Sequence, residues 1–356
     1  MNIPSLFCAV SLIFVPASSG ADSFSATLKK LPSESGKSSF VSNWIPLELK
    51  AADMQEKYID PTRVTDVGKA QMQFYFPAGW RSRDKRPALC IFPGGGYALM
   101  AIDKEGAHIA RWAAEHGMVG VVVKYRVSQE NNAIGKFPGP LLDARQALRL
   151  TRKHAGELGV DPGKIGVMGF SAGGHLASMA ATLWNKALPE EADNPLNSVS
   201  ARPDFAMLIY PVITMAPKDT HLGTRNKIIG SKPDPSLEEL CSAERQVTPN
   251  TPPVFLVHAQ DDGVASANSK LMEKACRDKG VPVTLRLYSR GGHGYGMEKR
   301  GNPTDQWPED AEKWLSEREI LPAAAAPRNG ECRSGGFIRK AGGMNGIGPD
   351  RATAEG

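Results

Sequence analysis

Gly169-Phe170-Ser171-Ala172-Gly173 sets a serine at the centre of a G-x-S-x-G run. An apolar, strand-like stretch at 164–168 precedes it, and a helix-like stretch rich in small residues follows at 172–183. A turn this tight needs glycines beside the serine, because side chains there would collide with neighbouring chain. It holds Ser171 Oγ clear of the backbone at a helix N-terminus, where the dipole and free N–H groups favour negative charge. A serine hydroxyl is a poor nucleophile until a base takes its proton. In this strand–turn–helix setting the partners follow the serine, first an acid and then a histidine. The chain supplies both. Asp261 and Asp262 follow a strand at 254–258, Asp262 lying 91 residues past the serine. His293, in Gly291-Gly292-His293-Gly294, follows a strand at 282–288 and lies 31 residues further on. The two aspartates cannot both hold the histidine. Upstream, Pro93-Gly94-Gly95-Gly96-Tyr97 follows a short apolar strand at 88–92. Glycines let backbone N–H groups approach closely, and acyl transfer needs such donors where charge builds on the carbonyl oxygen. The expected donors are the amides of Gly95 or Gly96 and of Ala172.

These groups meet only if the strands that carry them lie side by side. Strand-like runs recur at 71–76, 88–92, 119–124, 164–168, 205–210, 254–258 and 282–288. Helical spacing of apolar residues recurs at 104–116, 141–155, 172–183, 265–279 and 309–321. The alternation predicts an α/β fold, a mostly parallel central sheet with helices on both faces. Continuous apolar strands suit burial on both sides. The candidate acid and base both fall just past strand ends, on the same sheet edge as Ser171. Segment 214–250 breaks the rhythm with Pro217, Pro233, Pro235 and Pro249. It follows a strand's C-terminal end, where ligands bind in open α/β sheets, and is a candidate cap or lid. The expected organisation is a signal peptide at 1–21, a linker and irregular lead-in at 22–60, a catalytic domain at 61–321 and a disordered tail at 322–356.

The chain has 356 residues, 41% hydrophobic and 23% charged, which allows one large α/β domain. Its mean hydropathy of −0.31 excludes a polytopic membrane protein. The net charge is +5, and the tail carries five basic against three acidic residues. No basic stripe is interleaved with aromatics, so no nucleic-acid partner is expected. Five cysteines, Cys8, Cys90, Cys241, Cys276 and Cys332, include no C-x-x-C pair, which argues against a disulfide framework or a zinc site. The apolar stretch from Ile3 to Pro16 is short for a bilayer span. Small residues Ala17-Ser18-Ser19-Gly20-Ala21 follow it, as in a secretory signal peptide. The expected location is secreted or periplasmic, with no stable membrane insertion after removal of the signal.

P-G-G-G-Y, G-F-S-A-G-G-H-L-A, Y-P-V-I-T-M, H-A-Q-D-D and G-G-H-G-Y-G, in that order, resemble the α/β-hydrolase esterases of acetyl xylan esterase type, with feruloyl-esterase-like and prolyl-oligopeptidase-like relatives. The resemblance spans roughly 64–321. It implies the α/β-hydrolase fold and an exported serine hydrolase that removes small acyl groups from carbohydrates without a cofactor or metal. It carries the nucleophile onto Ser171, the base onto His293 and the acid onto Asp262 rather than Asp261. It places oxyanion donors at Gly95, Gly96 and Ala172. Pro93 departs from the pattern, since many relatives have His before the glycines. A prolyl-oligopeptidase-like peptidase is the rival enzyme, against which stands the absence of a propeller-forming repeat. An inactive carbohydrate-binding protein on the same fold is the rival outside enzymes.

Other residues near these motifs have plainer expected roles. Tyr97, Tyr210 and Tyr295 flank the motifs and are candidates to line an acyl or sugar pocket. His175, four residues past the serine, and His258, at a strand end, read as structural. His108, His116, His154 and His221 have no ligand spacing. Asp143 opens a helix and is expected to serve its N-terminus, while the resemblance hints at support for the oxyanion loop.

Overall fold

The computed structural model describes residues 11–12, 24–49, 54–129, 133 and 135–321. The apolar runs form strands β1 (Gln71–Phe76), β2 (Arg86–Phe92), β3 (Val119–Lys124), β4 (Val160–Phe170), β5 (Ala206–Ile209), β6 (Val254–Ala259) and β7 (Val283–Tyr288). Every residue of β3, β5 and β6 is buried, whereas β7 is half-buried along its whole length. The spatial order is β1-β3-β2-β4-β5-β6-β7. β1 runs antiparallel to β3, and every other neighbouring pair is parallel. Parallel strands put all their C-terminal ends at one sheet edge, so β2, β4, β5, β6 and β7 deliver their following loops to the same place.

The connecting helices are α1 (His108–Glu115), α2 (Gly139–Lys153), α3 (Ala172–Thr182), α4 (Leu222–Ile228), α5 (Pro235–Cys241), α6 (Ala267–Asp278) and α7 (Trp307–Glu317). α1 rests on β3 so closely that a Cβ on Gly120 would lie 2.6 Å from the Ala110 carbonyl oxygen. A five-residue π-helical turn, Asp103–Ala107, leads into α1.

The lead-in differs from the expected linker. Its described part packs into the core: Phe24, Leu28, Phe40, Ile45 and Leu47 are buried. Phe40–Val41 and Ile45–Pro46 pair antiparallel with β1, and the backbone of Ser11–Leu12 runs parallel to Phe40–Val41. Phe40 stacks on Phe76 at 4.4 Å between ring centres. Scattered aromatics in a Ser- and Pro-rich stretch carry no periodicity, so this packing leaves no pattern in the sequence. Segment 214–250 is folded into α4, α5 and a 3₁₀ turn at Ala243–Gln246, with Thr224, Arg225, Cys241, Ser242 and Ala243 buried. Asn268 of α6 ties down its start, the side-chain oxygen accepting the amides of Ile213 and Thr214. Apart from the Ser11–Leu12 backbone, the expected signal peptide lies outside the described residues, as does the expected tail at 322–356. No described helix is long and apolar enough to cross a membrane.

Candidate active site

The G-x-S-x-G run is a sharp turn between β4 and α3, and its glycines are there for want of space. A Cβ on Gly169 would lie 2.0 Å from the Gly173 carbonyl oxygen, and one on Gly173 would lie 2.0 Å from that of Phe92. Ser171 itself has φ 52° and ψ −117°, a conformation that costs a residue with a side chain on the order of 1–3 kcal/mol. The surroundings hold it there. The Ser171 amide donates to the Ile209 carbonyl, and its own carbonyl accepts from Val212 and His175. The hydroxyl is thereby turned out at the head of α3, and its Oγ lies 2.8 Å from His293 Nε2.

The other ring nitrogen, His293 Nδ1, lies 2.8 and 2.9 Å from the two oxygens of Asp262. Asp262 follows β6, its side chain is wholly buried, and its Oδ1 also accepts the Val264 amide at 2.7 Å. The neighbouring Asp261 is exposed and takes a different job. Its Oδ1 accepts the amides of Gly291 and Gly292 at 2.8 and 2.9 Å. Those two N–H groups hold its carboxyl below the usual carboxylate range. One aspartate therefore meets the imidazole, and the other anchors the loop that carries it. The Tyr210 ring supports the imidazole edge-on at 4.9 Å. His258 lies beneath the acid, with Nε2 3.5 Å from Asp262 Oδ2. It bridges the Ser269 hydroxyl and the Val264 carbonyl, and burial pushes its pKa down.

The glycine turn after β2 faces the serine. The Gly94 amide donates to Glu105 Oε2 at 2.7 Å, so the amides left to face an oxyanion are those of Gly95 and Gly96. Both adopt positive φ, 138° and 66°, and a Cβ on Gly95 would meet the Leu99 carbonyl at 2.1 Å. Ala172 is the first residue of α3, whose leading amides have no carbonyl one turn back to bond. Pro93, at the departure from the family pattern, has its carbonyl held by the Tyr125 hydroxyl at 2.6 Å.

Serine, imidazole and carboxylate in hydrogen-bond sequence, beside unpaired amides, can perform acyl transfer. The imidazole can take the hydroxyl proton, and the buried carboxylate can fix its tautomer. Among the described residues, no group of three or more His, Cys, Asp or Glu side chains is placed to hold a metal ion. A cavity of about 630 Å³ lined by Arg145, Trp184, Lys186 and Ser200 lies elsewhere, and none of Ser171, Asp262 and His293 lines it.

The three tyrosines are not pocket lining. Tyr97, Tyr210 and Tyr295 are each buried to 1% exposure or less. The Tyr97 hydroxyl bonds His175 Nδ1 at 2.9 Å, and His175 Nε2 bonds the Cys241 carbonyl at 2.7 Å. Burial lowers the His175 pKa to about 4. Tyr210 bonds Glu105, and Tyr295 packs edge-on to Tyr210 at 4.5 Å. Tyr97 and Tyr210 also have positive φ, 60° and 38°, so they brace the turns with their rings inward. Asp143 departs from its expected helix-capping role as well. It is fully buried in an ion pair with Arg126 at 2.7 Å and accepts the Arg126 amide, fixing the chain just after β3 next to Tyr125. Sequence reasoning missed Glu105 and Lys104, discussed below, and underrated His221. His221 caps α4, and its pKa is lowered by burial and then by the charge of His293. No spacing rule singles out any of the three.

The BD-FAE family pattern matches residues 72–276. An acetylxylan esterase of Xylanibacter ruminicola is 31% identical over 257 residues, covering 71% of this chain and 49% of the relative. The chain thus spans about half the length of that curated relative. An acetyl ester-xyloside bifunctional hydrolase of Caldicellulosiruptor lactoaceticus, solved as a crystal structure, superposes with a TM-score of 0.68 at 34% identity, covering 79% of this chain and 97% of that one. Thermogutta terrifontis esterase 2, solved phosphonylated by sarin, superposes with a TM-score of 0.62 at 26% identity over 78% and 99% of the two chains. With the strand order and the strand–serine–helix turn described above, these matches make the chain a member of the BD-FAE family, built on the α/β-hydrolase fold.

Proposed function

We propose that this protein hydrolyses short-chain carboxylic esters, acetyl groups on plant-type polysaccharides or oligosaccharides foremost, by covalent serine catalysis. The observation that carries the reading is the unbroken hydrogen-bond sequence from Ser171 Oγ through the His293 ring to Asp262. Ser171 Oγ attacks the ester carbonyl as His293 Nε2 takes its proton. Asp262 holds the Nδ1–H tautomer and stabilises the charged ring. The oxyanion lies against the amides of Ala172 and of Gly95 or Gly96, a donor of this kind being worth roughly 10²–10³ in kcat. As the tetrahedral intermediate collapses, His293 gives that proton to the departing sugar oxygen, which leaves as a hydroxyl. A water, deprotonated by the same ring, releases the acid and restores Ser171. A relative named acetylxylan esterase and a structural neighbour named acetyl ester-xyloside bifunctional hydrolase support the acyl group and the sugar, and a neighbouring esterase phosphonylated by sarin supports covalent catalysis.

Export is part of the same reading, supported by the apolar 3–16 run and the small residues after it. A sugar polymer is met outside the cell. An N-terminus read at or near Ala21 on secreted protein is the expected result; retention of Met1 on cytoplasmic protein would overturn it.

The decisive experiment pairs turnover with labelling. Purified protein should release acetate from acetylated xylan and hydrolyse p-nitrophenyl acetate, and a fluorophosphonate should label wild type but not Ser171→Ala. Hydrolysis of aminoacyl-proline amides without ester turnover would replace the reading with a peptidase.

A further inference from the structure

Glu105 is a carboxylate with no solvent contact to speak of, 4% exposed, in the middle of the π-helical turn before α1. Single π turns recur at functional sites because they redirect one side chain out of helical register. This one is wedged by Gly106, whose Cβ would press on Val122 and Pro93 at 3.1 and 3.3 Å, and it aims Glu105 at the sheet edge. There Oε2 accepts the Gly94 amide at 2.7 Å, and Oε1 accepts the Tyr210 hydroxyl at 2.8 Å. The Tyr210 oxygen in turn accepts the Gly296 amide at 3.0 Å, three residues past His293. A Cβ on Gly94 would touch both Glu105 Oε2 and Ser171 Cβ, at 2.7 and 3.0 Å. From the same turn, Lys104 Nζ donates to the Gly294 carbonyl at 2.6 Å. One buried side chain thus joins the glycine turn, the chain end after β5 and the histidine loop, three segments far apart in sequence.

We propose that Glu105 is a positioning residue for the esterase reaction, setting the glycine-turn amides and the His293 loop at a fixed separation through Gly94 and Tyr210. The proposal rests on the serine-esterase reading above. A buried, unshared acceptor for two donors is costly to leave unpaired, so its presence is explained by what it holds. With Oε2 anchoring Gly94, the next two amides are free to face the oxyanion. With Oε1 anchoring Tyr210, the ring that abuts His293 cannot rotate away. Glutamine can still accept the Gly94 amide on its oxygen, but its amide nitrogen then faces Tyr210 as a donor, so the Tyr210 hydroxyl proton loses its acceptor.

The charge matters too. The titratable and charged groups around Glu105 are Lys104 on its own turn, Tyr125 after β3, Tyr210 after β5 and His293 after β7. Burial pushes the Glu105 pKa up, and the Tyr210 hydroxyl, the Gly94 amide and the charges of Lys104 and His293 oppose that rise.

The test compares wild type, Glu105→Gln and Tyr210→Phe in p-nitrophenyl acetate hydrolysis. Both variants should lose kcat, Glu105→Gln about 10²-fold and Tyr210→Phe about 10-fold, with KM changed less than about threefold. A merely structural role would move KM and the urea midpoint along with kcat, so the kcat-against-KM split separates the two. The double variant should lose little more than Glu105→Gln, since both act on one linkage. If Glu105→Gln does not fold, Tyr210→Phe and its kcat-against-KM split decide alone. Wild type that turns over ester and takes a fluorophosphonate on Ser171, with both variants within twofold of it, overturns this proposal and leaves the esterase reading standing. Wild type that neither turns over nor labels overturns the esterase reading.

Discussion

The serine side and the histidine side of the site are built to opposite specifications. Ser171 sits between β4 and α3 in the middle of the sheet, in a turn where two glycines leave no room for a methyl group and both backbone groups of the serine are bonded. His293 rides on a loop after β7, an outermost strand that is half-buried throughout. Its side chain is 32% exposed. Gly292, Gly294 and Gly296 around it all take positive φ, yet a Cβ on Gly292 or Gly294 would meet nothing within 4 Å. Ser171 is fixed by crowding. His293 is held by a few directed bonds, from Asp262 and Asp261 to its ring and loop, and from Lys104 and Tyr210 to the chain just beyond. In the proposed reaction the geometry of attack is then set by the fold, and the proton relay by side chains that substitution can release one at a time.

Ser171→Ala removes the group that everything else serves, and kcat should fall on the order of 10⁶-fold, to background. Steady-state hydrolysis of p-nitrophenyl acetate reads this; retention of a tenth of the activity would place the nucleophile elsewhere. On the base side the two aspartates should separate sharply. Asp262→Asn should cost on the order of 10⁴ in kcat, because the amide favours the wrong imidazole tautomer. Asp261→Ala should cost less than about tenfold, because it frees two loop amides and leaves the ring bonds intact. Equal losses would mean that loop anchoring and ring anchoring are one function.

Glycine replacements test the crowding directly. Gly169→Ala should destabilise the fold by more than about 3 kcal/mol through overpacking. Gly294→Ala should cost about 1–2 kcal/mol, the ordinary penalty for a left-handed residue in open space. Urea denaturation midpoints measure both, and similar values would erase the distinction between the two sides. The smallest effect concerns pH. His175 is buried neutral behind Tyr97, with a pKa lowered to about 4 from 6.5. The unfolded chain therefore binds a proton that the folded chain refuses between these values. Stability is full above about pH 6.5 and falls as pH drops toward 4. Denaturation curves from pH 7 to 4.5 should show this slope, and His175→Gln should flatten it while keeping one donor and one acceptor in place.

Much of the arrangement is visible in the residues themselves. The alternation of apolar runs gives a mostly parallel sheet, since strands apolar on both faces need helices to cover them, but the exchange of β2 and β3 in the sheet order leaves no mark in that pattern. The serine turn shows through its glycines because steric exclusion there is local. His293 and Asp262 are legible because they follow strand ends, and parallel strands force those ends together. Glu105 is not legible. In the sequence it is one charged residue at the start of an amphipathic helix, where a solvent-facing glutamate is the ordinary case, and its inward turn depends on the π geometry and on Gly106. The tyrosines are poorly legible for a related reason. Flanking a motif shows that a residue is near the site, but not how deeply its ring is buried, and Tyr97, Tyr210 and Tyr295 are all enclosed. His221 carries no pattern at all, since its neighbours at the site come from two other loops.

The antiparallel pairing of Phe40–Val41 and Ile45–Pro46 with β1 extends one side of the sheet into the lead-in, where the backbone of Ser11–Leu12 adds a further rank. Proline withholds a donor from the next rank, and stacked aromatic rings fill the corner. At the opposite margin β7 ends the ladder among the described residues, with Arg286 and Tyr288 leaning toward Asp310. A charged rim discourages strand addition by a second molecule. That margin also carries the histidine loop, so any fibril-like association there would disturb the base first, and loss of turnover would precede visible aggregation.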